Sequence, residues 1–167
     1  MTTLLGLDPG LAKTGYGCIR TDGRTIHHIA HGVISTEAGQ DEAERLLKIH
    51  RGIEEIIHLH KPQYAGIENL YFAKNVKTAL PVAQARGVLL VTLAELGIAV
   101  YGFSPPVIKQ ALVGHGSATK EQVQEMVRLV LGLQTIPKPD HAADALAAAI
   151  SLANHAASYG IHLCSTA

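Results

Sequence analysis

LLGLDPGLAKTGYG, residues 4–17, places an acid at the end of an apolar run. The run predicts a buried strand that ends on Asp8, and Pro9 and Gly10 predict the turn after it. A second strand-like run with regularly placed glycines follows directly. A strand-terminal acid of this kind can be a simple turn residue, bind a metal ion or cradle a phosphate. Its role therefore depends on what the rest of the chain brings beside it.

The first third of the chain predicts three antiparallel strands. Its apolar and β-branched runs are separated by the turn signals DPG and DGR, and no helical period interrupts them. The strands are expected at 3–7, 14–21 and 25–36.

From residue 41 onward, helical and strand patterns alternate. Apolar residues recur at helical spacing over 41–60, and Lys61-Pro62 ends that helix. YAGIENL (64–70) predicts a strand parallel to an earlier one, because a strand–helix–strand connection favours that arrangement. A helix that opens or kinks at Pro81 and runs to Leu96 is expected next, followed by a strand over 98–104. Three helices complete the chain, over 105–114, over 120–131 and from Asp140 to about Ala157. The second of these begins with a Thr119–Gln122 capping box. The pattern predicts an α/β domain with a mixed five-stranded sheet.

Composition indicates one globular domain without a membrane span. Of the 167 residues, 47% are hydrophobic and only 17% are charged, which suits a single core with room for apolar contact with a partner. We expect the domain over 1–157 and a C-terminal tail over 158–167. The sequence shows no secretory signal, and Cys18 and Cys164 match no metal-binding spacing. Free thiols in a reducing cytoplasm are the expected reading.

The distribution of charge is uneven although the net charge is zero. Between Asn69 and Lys120 the net charge is +4, and the remainder carries −4. Such asymmetry suits an anionic partner such as nucleic acid, although chance fluctuation explains it equally well. The basic residues of this segment are Lys74, Lys77, Arg86, Lys109 and Lys120.

Four residues could form a metal site at one end of the sheet. Asp8 ends the first strand, and Glu68 lies near the end of the strand expected to run parallel beside it. Ligands of open α/β sheets bind beyond the carboxyl ends of such neighbouring strands. His141 and Asp144 are three residues apart on a helix and therefore share a face. Two carboxylates in one crevice repel each other unless a cation such as Mg²⁺ lies between them. Asp140 is interpreted more simply as the N-cap of its helix.

Several stretches together resemble one family over nearly the whole chain, from about Leu4 to Ala157. They are LGLDPGLAKTGYG (5–17), IENLYFAKN (67–75), VKTALPVAQARG (76–87), VIKQALVGHGSATKEQVQ (107–124) and HAADALAAA (141–149). In this order they closely resemble the RuvC family of Holliday junction resolvases. The resemblance implies an RNase H-like fold and a homodimer that cuts a four-way DNA junction symmetrically, leaving 5′-phosphate and 3′-hydroxyl ends.

The resemblance also implies roles for single residues. Asp8, Glu68 and Asp144 match the acidic ligands of two Mg²⁺ ions, and His141 stands where many members carry a further aspartate. A neutral nitrogen donor favours borderline ions, so Mn²⁺ is expected to support activity as well. Tyr71 matches an aromatic that reaches unpaired bases at the junction centre. The other residues assigned to the nucleic-acid interface are Lys74, Arg86, Lys109 and Lys120.

Three alternatives remain open at this stage. An acid ending strand one before a glycine-containing hairpin also resembles the first phosphate loop of actin-like ATPases and sugar kinases, but those proteins need two such domains. A junction-binding module without catalysis and an RNase H-like nuclease acting on RNA are the others. The resemblance further suggests a branch-migration motor as a partner, although no segment of the sequence demonstrates one.

Overall fold

The computed structural model describes residues 1–69 and 76–163. Over these residues the chain forms five strands and five α-helices, followed by a short 3₁₀ turn. In chain order the elements are β1 (Thr2–Asp8), β2 (Lys13–Thr21), β3 (Ile26–Ser35), α1 (Glu42–His60), β4 (Tyr64–Glu68), α2 (Val76–Glu95), β5 (Ala99–Phe103), α3 (Pro105–Val113), α4 (Lys120–Val130), α5 (Asp140–His155) and the 3₁₀ turn Ala156–Tyr159.

The strands form one mixed sheet in the order β3-β2-β1-β4-β5. The first three strands are the predicted antiparallel meander, and β4 and β5 continue the sheet in parallel to β1. Leu7 is in register with Ile67, so the next residues along the two strands, Asp8 and Glu68, end neighbouring parallel strands at the same edge. The predicted mixed five-stranded α/β sheet is confirmed.

Glycines allow α5 to lie unusually close to one face of the sheet. A Cβ on Gly6 of β1 would collide with the carbonyl oxygen of Ala145, and a Cβ on Gly15 of β2 would collide with that of His141. The facing residues of α5 are largely alanines, so backbone approaches backbone and the whole middle of the helix is buried. This contact fixes where the first turn of α5 lies along the sheet.

The other face of the sheet is covered by α1 and α2. Ile49, Ile53 and Ile57 of α1 pack with Leu89 and Leu93 of α2 against the sheet. Asp41 caps α1, accepting hydrogen bonds from the backbone of Ala43 and Glu44. The two faces of the sheet therefore carry separate apolar clusters, and α5 belongs to the cluster opposite α1 and α2.

The structure corrects two local expectations. The helix expected to open or kink at Pro81 already begins at Val76, so Pro81 lies inside α2 instead of opening it. Asp140 is not the N-cap of α5: Pro139 occupies that position, and Asp140 is the first helical residue. The capping box at Thr119 and Gln122 is present as predicted.

The segment after α5 returns to the domain. Ile161 and Leu163 are buried in the same cluster as α5, and Thr2 Oγ1 donates a hydrogen bond to the carbonyl of Leu163 at 3.0 Å. Leu163, in the expected C-terminal tail, thus contacts the start of β1. Of the cysteines, Cys18 is a buried free thiol whose pKa burial raises to about 12; Cys164 lies outside the described residues.

Among the helices in 1–69 and 76–163, none is both long and apolar enough to cross a lipid bilayer.

Replacing Gly6 by Ala is expected to lower the free energy of unfolding by about 1–3 kcal/mol or more, because the new methyl group must push α5 off the sheet. The measurement is urea denaturation. The matched control is Gly39→Ala, since Gly39 is exposed and a Cβ there meets no atom within 4 Å. Equal stability of the two variants would contradict the close contact between α5 and the sheet.

Candidate active site

The four candidate residues are assembled from two rigid parts. Asp8 and Glu68 come from the ends of β1 and β4, and His141 and Asp144 come from the first turns of α5. The close approach of α5 at Gly15 puts the backbone of His141 directly against β2 beside the end of β1. All four residues predicted from the sequence therefore lie at one edge of the sheet.

Within this group Asp8 and His141 form a direct contact. Nδ1 of His141 lies 2.7 Å from Oδ2 of Asp8, a hydrogen-bonding distance. This hydrogen bond raises the pKa of His141 above its ordinary value, against the opposing effect of partial burial. The Asp8 side chain is only 15% exposed, and the imidazole of His141 is its hydrogen-bonding partner at the end of the strand.

The carboxylates act on one another electrostatically. Burial, with the charges of Asp8 and Asp144, raises the pKa of Glu68 to about 7, and the nearby lysines 109 and 120 only partly oppose this. Burial and the charge of Asp8 also raise the pKa of Asp144. Like charges held close together in a partly desolvated crevice have this effect, and a cation between them would relieve it.

Lys120 supplies positive charge to the same edge. Its Nζ lies 3.2 Å from Oδ2 of Asp144 and 3.4 Å from Oδ2 of Asp140. Partial burial lowers the pKa of Lys120, but Asp144 and Asp140 outweigh that effect and raise it. The other oxygen of Asp140 lies 3.3 Å from Nζ of Lys138. Asp140, which the sequence suggested as a helix cap, is thus part of an ion-pair network that extends from Lys138 through Lys120 to Asp144.

A cavity of about 190 Å³ opens beside Glu68 and Asp144. Lys109 and Lys120 line it. That they contact nucleic acid stays a prediction. The remaining wall is apolar and is contributed by Pro105, Ile108, Val123 and Ala147. This apolar wall explains why Glu68 is poorly solvated, and sequence patterns did not indicate it because its members come from three different helices.

The donors suit a hard divalent cation, although they are not already gathered around one point. In the described part of the chain, no three His, Cys, Asp or Glu side chains lie together as a ready metal cluster. His141 is instead paired with Asp8, and Lys120 with Asp144. Three carboxylates and an imidazole at one edge, with the raised pKa of Glu68, still have the chemistry of a site that binds a cation after these side chains rearrange.

The remaining predicted interface residues fall into two groups. Tyr71 and Lys74 lie outside the described residues. Arg86 is described: it is half-buried on α2, and its Nη2 donates a hydrogen bond to Oδ1 of Asn69 at 3.1 Å. The structure therefore does not bring Arg86 together with Lys109 and Lys120 at the cavity.

This sheet order, with acids at the ends of β1 and β4 and on α5, defines an RNase H-like protein with a nuclease-type acidic edge. The family model of crossover junction endodeoxyribonuclease RuvC matches residues 4–152. The chain is 51% identical over 146 residues to crossover junction endodeoxyribonuclease RuvC of Chloroflexus aggregans, covering 87% of this chain and 89% of that protein. Over 151 residues it is 52% identical to the Treponema denticola protein of the same name, covering 90% and 85%.

The fold agrees with a solved relative over nearly its full length. Thermus thermophilus RuvC, solved in complex with Holliday junction substrate, superimposes with a TM-score of 0.91 at 36% identity, covering 95% of this chain and 97% of that one. The chain belongs to the RuvC family of crossover junction endodeoxyribonucleases. The predicted family and the RNase H-like fold are confirmed.

Replacing Glu68 by Gln is expected to stabilise the cation-free protein at pH 8 and to have little effect at pH 4.5. The folded pKa of about 7 lies above the ordinary value of 4.5, so ionisation of Glu68 costs stability progressively as pH rises between these values. The gain at pH 8 has an upper bound of about 3 kcal/mol. Urea denaturation in a chelating buffer at both pH values measures it. A variant less stable than the parent at pH 8 would contradict the assigned repulsion.

Proposed function

We propose that this protein resolves four-way DNA junctions by paired, symmetric hydrolysis of phosphodiester bonds, leaving 5′-phosphate and 3′-hydroxyl ends. The observation that carries the proposal is the meeting of Asp8, Glu68, His141 and Asp144 at one sheet edge. This edge lies in a chain that aligns over 95% of its length with a RuvC solved on a Holliday junction. We assign the catalytic role to these four residues.

The family is one of metal-dependent nucleases, and we propose that the same four side chains hold the metal in this protein. Mg²⁺ suits the three carboxylates, and Mn²⁺ is expected to serve at least as well because His141 offers a nitrogen donor. When bound, divalent cations supply Lewis-acid activation of water and of the phosphodiester. For these cations to bind, the Lys120 ammonium must move away from Asp144. A second ion pair already holds Lys120 to Asp140.

The residues around the carboxylates are suited to holding a phosphodiester. Lys109 and Lys120 line the cavity and can neutralise the phosphate charges that the acids would otherwise repel. The apolar wall limits water around Glu68 and strengthens these electrostatic contacts. His141, hydrogen-bonded to Asp8, can keep that carboxylate oriented. We also assign Tyr71 and Lys74 to the junction interface, from their positions in the segment that resembles the family.

We propose that the protein acts as a homodimer, since symmetric cuts in two strands require two sites. An apolar groove runs between α1 and α2, on the sheet face opposite α5, and a second copy is the partner that we assign to it. Leu47 and Val91 in this groove are 45% and 58% exposed, as expected for a surface that association would bury. A cytoplasmic location and contact with a branch-migration motor are parts of the same proposal.

Asp8→Asn is expected to abolish cleavage of a four-way junction and to leave junction binding largely intact, because the charge that holds the metal is lost while the basic residues remain. The test compares parent and variant on an end-labelled synthetic junction and on linear duplex of the same sequence. Each substrate is tested with Mg²⁺, with Mn²⁺ and with chelator, without ATP.

Paired nicks confined to the junction, dependent on metal, would support the proposal. Cleavage by Asp8→Asn at the parent rate would contradict the assigned site. Binding without cleavage in either metal would favour the junction-binding module, and cleavage of an RNA-containing duplex instead would favour the RNA nuclease.

Val91→Glu is expected to convert the dimer to monomer, because the substitution buries a carboxylate in the proposed interface. Sedimentation equilibrium of parent and variant measures the change. The matched control is Leu59→Glu, since Leu59 is 74% exposed at the end of α1 and does not line the groove. A monomeric parent would exclude the dimer. A Val91→Glu variant that remains dimeric would place the dimer interface elsewhere.

A further inference from the structure

A polar contact joins α2 to the end of β4, directly beside the candidate site. Arg86 Nη2 donates to Asn69 Oδ1 at 3.1 Å, and Asn69 is the residue that follows Glu68. Arg86 itself is carried by the buried part of α2, next to the core residue Ala85. The contact therefore links the residue after Glu68 to the opposite face of the sheet from α5.

The main chain of Asn69 is also fixed. Its backbone N–H donates to the carbonyl of Phe103 at 2.8 Å, and Glu68 is in register with the same Phe103 of β5. The backbone bond extends the β4–β5 ladder by one residue, and the hydrogen bond to Arg86 fixes the Asn69 side chain. The end of β4 thus has two independent tethers immediately after Glu68.

The neighbouring strand leaves space for this arrangement. A Cβ on Gly102 of β5 would collide with the carboxamide of Asn69, with Oδ1 as its closest atom. The Asn69 side chain therefore lies across β5 at the position where that strand has no side chain. Three elements, β4, β5 and α2, meet at one carboxamide.

The chemistry of Arg86 indicates more than packing. Its Nε is hidden from solvent and has no hydrogen-bond partner within the described part of the chain. A half-buried guanidinium with an unsatisfied donor costs free energy that an apolar side chain would not. Its planar fork, however, can reach and orient a carboxamide in a way that a lysine ammonium does not reproduce.

We propose that Arg86 and Asn69 are a positioning pair that holds the end of β4, and with it Glu68, in the geometry that hydrolysis requires. Arg86 then acts through Asn69 and not as a contact to DNA, which is the role its charge suggested. The inference rests on the proposed nuclease function and names residues that tune its site. Positional errors of about 1 Å can cost roughly 100-fold in rate.

The test uses three variants that break the same contact from different elements: Arg86→Gln, Asn69→Ala and Gly102→Ala. Each is expected to lower kcat on a synthetic four-way junction by roughly 10- to 100-fold while the Kd for the junction stays at the parent value. The double variant Arg86→Gln/Asn69→Ala should be no slower than the slower single variant, because both remove one interaction. The matched controls are Arg24→Gln and Gly39→Ala, both exposed and remote, and they should cleave like the parent.

Salt dependence separates positioning from DNA contact. If Arg86 bound a phosphate, Arg86→Gln would weaken junction binding and reduce the slope of log K against log salt by about 0.9, and Arg86→Lys would restore both. A positioning role predicts an unchanged slope and a kcat that Arg86→Lys does not restore. A reduced slope for Arg86→Gln, with parent rates for Asn69→Ala and Gly102→Ala, overturns the inference.

A second readout does not depend on cleavage. Calorimetric titration of Mn²⁺ into the DNA-free protein should show weaker binding for all three variants, since Glu68 is displaced in each. Thermal unfolding identifies a variant that has failed to fold, and the other two then decide. If the parent binds junctions without cutting them, the proposed function fails, and the Mn²⁺ affinities alone decide this inference: parent affinity in the folded variants overturns it.

Discussion

The contact between α5 and the sheet is the constraint on which the rest of this structure depends. Gly6 and Gly15 have no side chain where the helix backbone arrives, and the alanines of α5 keep the helix side of the contact equally thin. Because neither surface carries a bulky side chain here, the register between helix and sheet has little freedom. His141 and Asp144 inherit that register, and so their distance from Asp8 and Glu68 is set by backbone packing.

The electrostatics of the site follow from this enforced proximity. The acids are brought together by the fold whether or not a cation is present. The raised pKa of Glu68 shows that keeping its carboxylate ionised there costs free energy. Lys120 and His141 offset part of that cost by contacting Asp144 and Asp8. A site arranged in this way gives up stability in exchange for a strong preference for positive charge, which is the property that metal-dependent phosphodiester hydrolysis requires.

Sequence patterns predicted the features that depend on neighbouring residues or on general sheet topology. Asp8 and Glu68 could be placed at one edge because Asp8 ends its predicted strand, Glu68 lies near the end of its own, and a strand–helix–strand connection favours a parallel pair. Asp140 could not be interpreted correctly, because the preference of aspartate for helix caps is local whereas its lysine partner Lys120 comes from another helix. Arg86 was grouped with the basic residues because charge counting does not reveal that its partner, Asn69, lies beside Glu68. Of the two alternatives for Pro81, opening the helix or kinking it, the first is wrong, because local sequence does not report the tertiary packing that supports α2 before Pro81.

The assembly from two rigid parts has a consequence for how the site can vary. Asp8 and Glu68 move with the sheet, and His141 and Asp144 move with one helix, so errors within each pair are suppressed. Variation is concentrated in how α5 lies against β1 and β4, that is, in its separation and its tilt. Substitutions anywhere along the contact between α5 and the sheet, even several turns from the acids, therefore change the distance between the helix pair and the strand pair. Homologues that differ in their alanines and glycines along this contact would differ in the distance between the two pairs of side chains.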